Sequence, residues 1–214
     1  MDRTIDKYLL EWKEEPSRKV MLLRGARQVG KTYSIRKLGE SFQHFLEINF
    51  EEEKDLKSIF QGSLSPADLC ERLSAFFSVP IIQGKTLLFF DEIQACPEAL
   101  SSLRFFHEKM PELHVIAAGS LLEFALSEIP SQGVGRVSSL FMYPMSFAEF
   151  LTANGAKPML DLVSKTHGQA PVEDVFHKKL IGYLQTYLLT GGMPEVVGAY
   201  VSHRDLILCR KKLD

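Results

Sequence analysis

An apolar run that leads directly into a glycine-rich turn is the feature that most constrains the fold. Val20 to Leu23 is followed by Gly25-Ala26-Arg27-Gln28-Val29-Gly30-Lys31-Thr32, and helical spacing resumes over residues 31 to 40. The turn matches the pattern G-x-x-x-x-G-K-[ST] between a strand and a helix. Apolar runs without polar alternation are typical of strands buried on both faces of a parallel sheet. We therefore predict that the chain contains a strand, turn and helix of an α/β layer structure.

The chemistry of this turn predicts a phosphate site. Glycines allow successive backbone N–H groups to face inward, and the start of the following helix adds the positive end of its dipole. Lys31 would reach the β- and γ-phosphates of ATP, and Thr32 would offer its hydroxyl to Mg²⁺. Every residue from Gly25 to Thr32, together with Tyr33, is thus predicted to bind nucleotide. The alternative is a plain glycine-rich turn with no ligand.

The rest of the chain continues the alternation of strand and helix. Further apolar runs are Phe45 to Phe50, Thr86 to Phe90, Val115 to Ala118 and Leu140 to Tyr143, and helical spacing covers residues 4–13, 66–78, 97–109 and 120–127. This alternation predicts a three-layer, doubly wound α/β core with a central, mainly parallel five-stranded sheet, and the glycine-rich turn predicts that this core is of the P-loop NTPase type.

Residues beyond Ala153 lack strand signals. Helical spacing over residues 173–189 and 194–213 predicts a small helical, lid-like subdomain. The predicted domains are a core over residues 1–152 and this subdomain over residues 153–214. Residues 127–139 contain Pro130, Gly133 and Gly135 and are predicted to form a surface loop.

Two carboxylates, Asp91 and Glu92, follow the apolar run that starts at Thr86. Burying a carboxylate is costly unless a cation compensates it, so this Walker B arrangement predicts a magnesium-bound nucleotide nearby. Asp91 is assigned to the metal shell and Glu92 to activating the attacking water. In the alternative interpretation, Asp91 caps the next helix and Glu92 is solvated. The apolar run at residues 45–50 predicts an extra strand between the two motif-bearing strands, an order found in ATPases with a catalytic glutamate.

Composition narrows the classes of function that remain. The net charge is −2, so no global positive field attracts nucleic acid or anionic lipid. No apolar run approaches the roughly 20 residues that span a bilayer, and the first 15 residues do not resemble a signal peptide, which predicts a cytoplasmic protein. The cysteines lack metal-binding spacing. The run Glu51-Glu52-Glu53 is interpreted as a solvated exit from its strand.

Several short segments together resemble one known family. They are Arg24 to Thr32, Asp91-Glu92-Ile93-Gln94, Ala118-Gly119-Ser120, Tyr143 to Phe150, and Gly191 to Val196. In this order they resemble the prokaryotic AAA-type P-loop ATPases, the archaeal-type ATPases related to the signal-transducing ATPases with numerous domains. The resemblance covers about Val20 to Val197. It implies hydrolysis of ATP to ADP and phosphate with Mg²⁺, used as a conformational switch or motor.

The resemblance also implies what lies outside the chain. Such proteins usually continue into a C-terminal domain, so the chain is interpreted as truncated. A DNA or protein partner would be engaged through the missing region, and assembly into a homo-oligomer is left open.

Three further residues receive roles from the resemblance alone. Ser120 is implied to sense the γ-phosphate or the attacking water, although it could equally cap the following helix. Arg136 is implied to be an arginine finger acting in its own or a neighbouring subunit, whereas an exposed loop arginine is commonly just solvated. Pro194 is implied to pack near the adenine, although a helix start explains it equally well. With Glu92 and Lys31, Ser120 and Arg136 complete the predicted catalytic set.

Two other functions stay open at this point. One is a P-loop kinase that phosphorylates a small molecule, and the other is a nucleotide-gated binding module with negligible turnover. Phosphate release without an acceptor would separate hydrolysis from kinase activity. Binding without turnover under all conditions, including with DNA, would favour the module.

Overall fold

The computed structural model describes residues 1–120, 135–165 and 171–212. The chain divides into two compact units, one of Ile5–Met142 and one of Met1–Thr4 with Tyr143–Asp214. The division therefore lies ahead of the predicted domain boundary at residue 152. Residues 143–152 group with the C-terminal helices because Met145 and Phe150 share a small apolar core with Val197.

The larger unit is built on a five-stranded sheet in which all neighbouring strands are parallel. The strand order is β2-β3-β4-β1-β5. The strands are β1 (Val20–Arg24), β2 (His44–Asn49), β3 (Thr86–Asp91), β4 (His114–Gly119) and β5 (Val137–Phe141). The predicted fold class is confirmed, with helices on both sides of the sheet.

Burial along the strands follows their positions in the sheet. Every residue of β3 and β4 is buried, and β1 is buried except at its last residue. The edge strands β2 and β5 are only partly buried. Continuous apolar runs thus mark the strands that are covered on both faces.

The helices of this unit begin where the sequence predicts them. They are α1 (Thr4–Glu14), whose first residue belongs to the other unit, α2 (Lys31–Gly39), α3 (Pro66–Phe77) and α4 (Pro97–Lys109), with 3₁₀ turns at Lys54–Phe60 and Ile93–Ala95. Proline occupies the first turn of α3 and of α4, where no intrahelical N–H is needed.

An aromatic cluster packs against the sheet beside the end of β3. The rings of Phe50, Phe60 and Phe106 surround Phe90, with centroids 5.6 to 6.0 Å from it. All four side chains are fully buried. This packing holds the end of β3, where Asp91 is the last residue, in place.

Two details of the sheet differ from the sequence-based expectation. The strand between β1 and β3 is β4, whereas the strand at residues 44–49 lies at the sheet edge. Order along the chain therefore does not give order in the sheet. In addition, β5 begins at Val137, inside the predicted loop, because its half-buried edge position needs no continuous apolar run. The predicted helix over residues 120–127 lies, after Ser120, outside the described residues.

The smaller unit is helical, as predicted. Its helices are α5 (Phe147–Ala153), α6 (Lys157–Lys165), α7 (Asp174–Thr190), α8 (Pro194–His203) and α9 (Leu206–Lys211). The predicted single helix over residues 194–213 is wrong. It is interrupted because Arg204 adopts φ 54°, and Asp205 then caps α9 by accepting hydrogen bonds from the N–H groups of Ile207 and Leu208. None of the described helices combines the length and the apolar composition that a membrane-spanning helix needs.

Candidate functional site

The glycine-rich turn joins the end of β1 to the start of α2. Gly25, Gln28 and Gly30 have φ values of 149°, 63° and 97°. A Cβ atom on Gly25 would lie 2.2 Å from the carbonyl oxygen of Met142, so no other residue fits there. Glycine at both ends of the turn is thus a requirement of backbone geometry.

The Lys31 side chain is folded against its own turn. Its residue is 5% exposed, and its Nζ donates to the carbonyl oxygens of Gly25 at 2.9 Å and Ala26 at 2.8 Å. Burial lowers the pKa of the ammonium, while the charges of Glu92 and Asp91 oppose this shift. A cation is therefore held inside the turn in a partly desolvated setting, where an anion would interact with it strongly.

A hydrogen bond joins the turn to the acidic strand end. Thr32 Oγ1 donates to Asp91 Oδ2 at 2.8 Å, although β4 separates β1 from β3. Asp91 is 4% exposed, and its Oδ1 accepts from the backbone N–H of Glu92 at 3.0 Å. Burial raises the pKa of the Asp91 carboxyl, and the hydrogen bonds from Thr32 and Glu92 oppose the shift. The two motifs found in the sequence thus form one site.

Glu92 lies beside Asp91 in an uncommon backbone conformation. Its φ of 47° places it in the left-handed region, which costs about 1 kcal/mol or more for a residue with a Cβ. Its Oε2 accepts a hydrogen bond from Gln94 Nε2 at 2.6 Å. Gln94 belongs to the segment that carries the family resemblance, but no sequence pattern predicts a role for this glutamine. Its contact fixes the orientation of the Glu92 carboxylate.

Ser120 directly follows β4 and lies close to the turn. Its Oγ accepts a hydrogen bond from Arg27 Nε at 3.3 Å, and Arg27 Nη2 donates to Glu51 Oε1 at 3.2 Å. Ser120 therefore contacts a residue of the glycine-rich turn, which is compatible with the sensor role. The alternative role as a helix cap concerns residues outside the described part of the chain.

Arg136 is not brought to the turn of its own chain. It precedes β5, whose first residue, Val137, pairs with Val20 at the start of β1. The glycine-rich turn follows the other end of β1, about 16 Å away for five residues of strand. Arg136 Nε instead pairs with Glu108 Oε1 on α4 at 2.5 Å. At this position Arg136 lies away from the turn of its own chain, and the finger role stays a prediction.

Tyr33 and Pro194 are placed on helices. Tyr33 lies in the first turn of α2 and is 57% exposed. Pro194 opens α8 in the smaller unit. Their predicted contacts with nucleotide stay predictions.

A family profile described as an AAA domain matches residues 17–151. The chain belongs to the AAA domain family. The match covers the whole sheet of this AAA domain and both acidic residues of the site. No curated protein matches the chain.

Solved structures give the same fold for this AAA domain. A Walker-type ATPase of Pyrococcus abyssi aligns with a TM-score of 0.59 at 18% identity, over 99% of this chain and 70% of that one. PCH-2 of C. elegans aligns at 0.49 and 11% identity, over 98% of this chain and 68% of its own. ORC1 of Aeropyrum pernix, solved with DNA, aligns at 0.44 and 12%, over 87% of this chain and 65% of its own. The first likeness supports the fold, and the other two are too slight to support an argument.

The residues of this AAA domain fit a nucleotide with Mg²⁺. The side-chain oxygens of Thr32 and Asp91 are hard ligands of the kind that Mg²⁺ takes, and burial of the Asp91 carboxylate favours a cation beside it. The tight approach of Gly25 to the Met142 carbonyl leaves room only for backbone in the turn. The buried ammonium of Lys31 supplies a positive charge for phosphate oxygens.

Proposed function

We propose that this AAA domain hydrolyses ATP to ADP and phosphate with Mg²⁺ and uses the cycle as a conformational switch or motor. The observation that carries the proposal is the hydrogen bond between Thr32 and Asp91, which unites the glycine-rich turn with the acidic end of a strand that is not its neighbour. A turn that only connects β1 to α2 would not need this partner.

Each residue of the site then has a defined task. The backbone N–H groups of the turn and the start of α2 bind phosphate oxygens, and Lys31 neutralises charge on the β- and γ-phosphates. Thr32 and Asp91 would hold Mg²⁺, which offsets the negative charge that develops on the transferred phosphoryl group. Glu92, oriented by Gln94, accepts a proton from the attacking water, and Ser120 donates a hydrogen bond to the γ-phosphate.

The strand order supports hydrolysis over transfer to a small molecule. β4 lies between the strand of the turn and the strand of Asp91 and Glu92. This arrangement is typical of ATPases with a catalytic glutamate. Within the described site, we identify no residue that would bind the small-molecule acceptor of a kinase.

The setting of this activity is also a proposal. We place the protein in the cytoplasm and propose that it acts with a DNA or protein partner. No residue in the described site identifies that partner, so turnover should be compared with and without DNA.

The test compares two single substitutions. We expect Glu92→Gln to bind ATP like the parent but to lose roughly 100-fold or more of acceptor-independent phosphate release, because a general base contributes about that factor. Lys31→Ala should lose most ATP affinity in a calorimetric titration. If Glu92→Gln turned over ATP as fast as the parent, Glu92 would not be the general base. If Lys31→Ala bound ATP as tightly as the parent, the whole proposed site would be wrong.

The switch is tested separately on the same proteins. Hydrogen exchange in α7 and α8 should differ between Glu92→Gln with ATP and the parent with ADP. Identical exchange in both conditions would contradict a conformational switch and favour a binding module.

A further inference from the structure

The side chain of Arg27 bridges the ends of two strands that are not neighbours. Its guanidinium donates to Ser120, which follows β4, and to Glu51, which follows β2. Between them in the sheet lies β3, which ends in Asp91. Because neighbouring strands are about 4.8 Å apart, a group that spans β2 and β4 passes over the end of β3. Arg27 therefore lies across the carboxyl ends of the strands, above the acidic residues of the site.

A second observation links Arg27 to the phosphate-binding lysine. Burial is the main cause of the lowered pKa of Lys31, and the positive charge of Arg27 adds to it. The positive charges of Lys31 and Arg27, both in the glycine-rich turn, therefore lie close enough to repel each other. Such a pair is stabilised by an anion with several charges that both cations can share.

The present partner of Arg27 is easily exchanged. The side chains of Arg27 and Glu51 are 64% and 47% exposed, and exposed ion pairs contribute little. A terminal phosphate carries more negative charge than a carboxylate and has three acceptor oxygens, so its charged hydrogen bonds to the guanidinium are stronger than the 3.2 Å contact between Arg27 Nη2 and Glu51 Oε1. An exchange from Glu51 to a phosphate group would thus be favourable.

We infer that Arg27 is a specificity-determining residue that exchanges Glu51 for the terminal phosphate of a nucleoside triphosphate. Glu51 is then a competitor built into the chain, which weakens triphosphate binding until the γ-phosphate displaces it. A nucleoside diphosphate lacks that group and leaves the Arg27–Glu51 pair in place. The inference deepens the proposed function and rests on its nucleotide site.

The test measures ATP and ADP affinities by calorimetric titration, each with Mg²⁺. Arg27→Gln should weaken ATP binding roughly tenfold, as expected for loss of a charged hydrogen-bond donor to phosphate, and change ADP binding less than about twofold. Glu51→Gln should tighten ATP binding about two- to fivefold and leave ADP binding unchanged. Glu52→Gln is the matched control, since it removes the same charge one residue away and should leave the ATP-to-ADP ratio at the parent value.

A double variant shows whether Glu51 acts through Arg27. In the Arg27→Gln background, Glu51→Gln should no longer tighten ATP binding. Equal losses for ATP and ADP in Arg27→Gln would overturn the inference, as would equal effects of Glu51→Gln and Glu52→Gln.

These outcomes are separable from failure of the proposed function. If the parent binds ATP with the predicted dependence on Arg27 but Glu92→Gln keeps full turnover, only the hydrolytic mechanism fails. If the parent binds neither nucleotide, both proposals fail. Thermal unfolding without nucleotide should be the same in all variants, because the exchanged side chains are exposed.

Discussion

Burial penalises the charged forms of both Lys31 and Asp91, and it therefore shifts their pKa values in opposite directions. The pKa of the Lys31 ammonium is lowered and that of the Asp91 carboxyl is raised, each first by burial. Burial thus favours the neutral form of each group. A ligand that carries both negative phosphate oxygens and a divalent cation would relieve both penalties together.

At Gly25 the close approach of the Met142 carbonyl predicts a severe effect of adding one methyl group. We expect Gly25→Ala to lower the free energy of unfolding by about 3 kcal/mol or more, since the added Cβ would lie only 2.2 Å from the Met142 carbonyl oxygen and φ is a strained 149°. Urea denaturation of the purified variant measures this loss.

Gly62→Ala is the matched control for that change. Its φ is 94°, but nothing lies within 4 Å of the added Cβ. Its cost should be limited to about 1–2 kcal/mol of backbone strain. Equal losses in the two variants would show that the Met142 contact is not what requires glycine at position 25.

The residues of the turn could be predicted because their chemistry is local. Gly25, Lys31 and Thr32 stand at fixed spacing, and the backbone carries them to one place. The contacts of Arg27 with Glu51 and of Glu92 with Gln94 depend on side chains whose meeting no local pattern encodes. The position of Arg136 beside the start of β5 is not predictable from the sequence, because the residues before Leu140 lack a continuous apolar run.

Among the elements, helix α5 shows how strongly one carboxylate can organise a helix start. Ser146 and Glu149 form a capping box, and Glu149 Oε1 also accepts from Arg3 Nε at 3.0 Å and from the backbone N–H of Thr4 at 2.7 Å. Burial raises the pKa of Glu149, but these hydrogen bonds outweigh it, so the pKa lies below its ordinary value. The carboxylate is thus stabilised as an anion.

This network predicts two different losses. Ser146→Ala should cost about 1 kcal/mol of unfolding free energy, as for other helix caps. Glu149→Gln should cost more, about 2–3 kcal/mol, because it leaves Arg3, whose side chain is 5% exposed, without its carboxylate. Urea denaturation at pH 7 compares them, and a Glu149→Gln loss no larger than that of Ser146→Ala would contradict the role of Arg3.

Element types were more predictable than their arrangement. Strand and helix runs differ in period, so β1, β3 and β4 were evident from continuous apolar residues. The position of β4 between β1 and β3 reflects crossover connections through helices, which leave no local signal. The break before Asp205 was also missed, because the apolar spacing of α8 and α9 continues across it.

At the scale of the whole molecule, the position of Arg136 bears on assembly. Since it lies at the opposite end of the sheet from its own glycine-rich turn, any finger role requires a second subunit. We expect Arg136→Ala and Lys31→Ala each to lose turnover but a mixture of the two to regain part of it, because mixed assemblies combine an intact turn with an intact arginine.

Glu108→Gln serves as the control for that experiment. It breaks the ion pair by changing Glu108 instead of Arg136, and the side chains of both residues are substantially exposed. Turnover should persist, because exposed pairs contribute little to stability. A phosphate-release assay on the single variants and the mixture measures all three, and an inactive mixture would contradict action between subunits.

The bonds of Lys31 to Gly25 and Ala26 have one more consequence. Because this side chain already has two partners, an incoming triphosphate must replace bonds rather than create them from nothing. The measured affinity will therefore be a difference between two satisfied states, smaller than the number of phosphate contacts would suggest. A moderate affinity of this kind favours release of ADP, which the proposed hydrolytic cycle requires as much as binding of ATP.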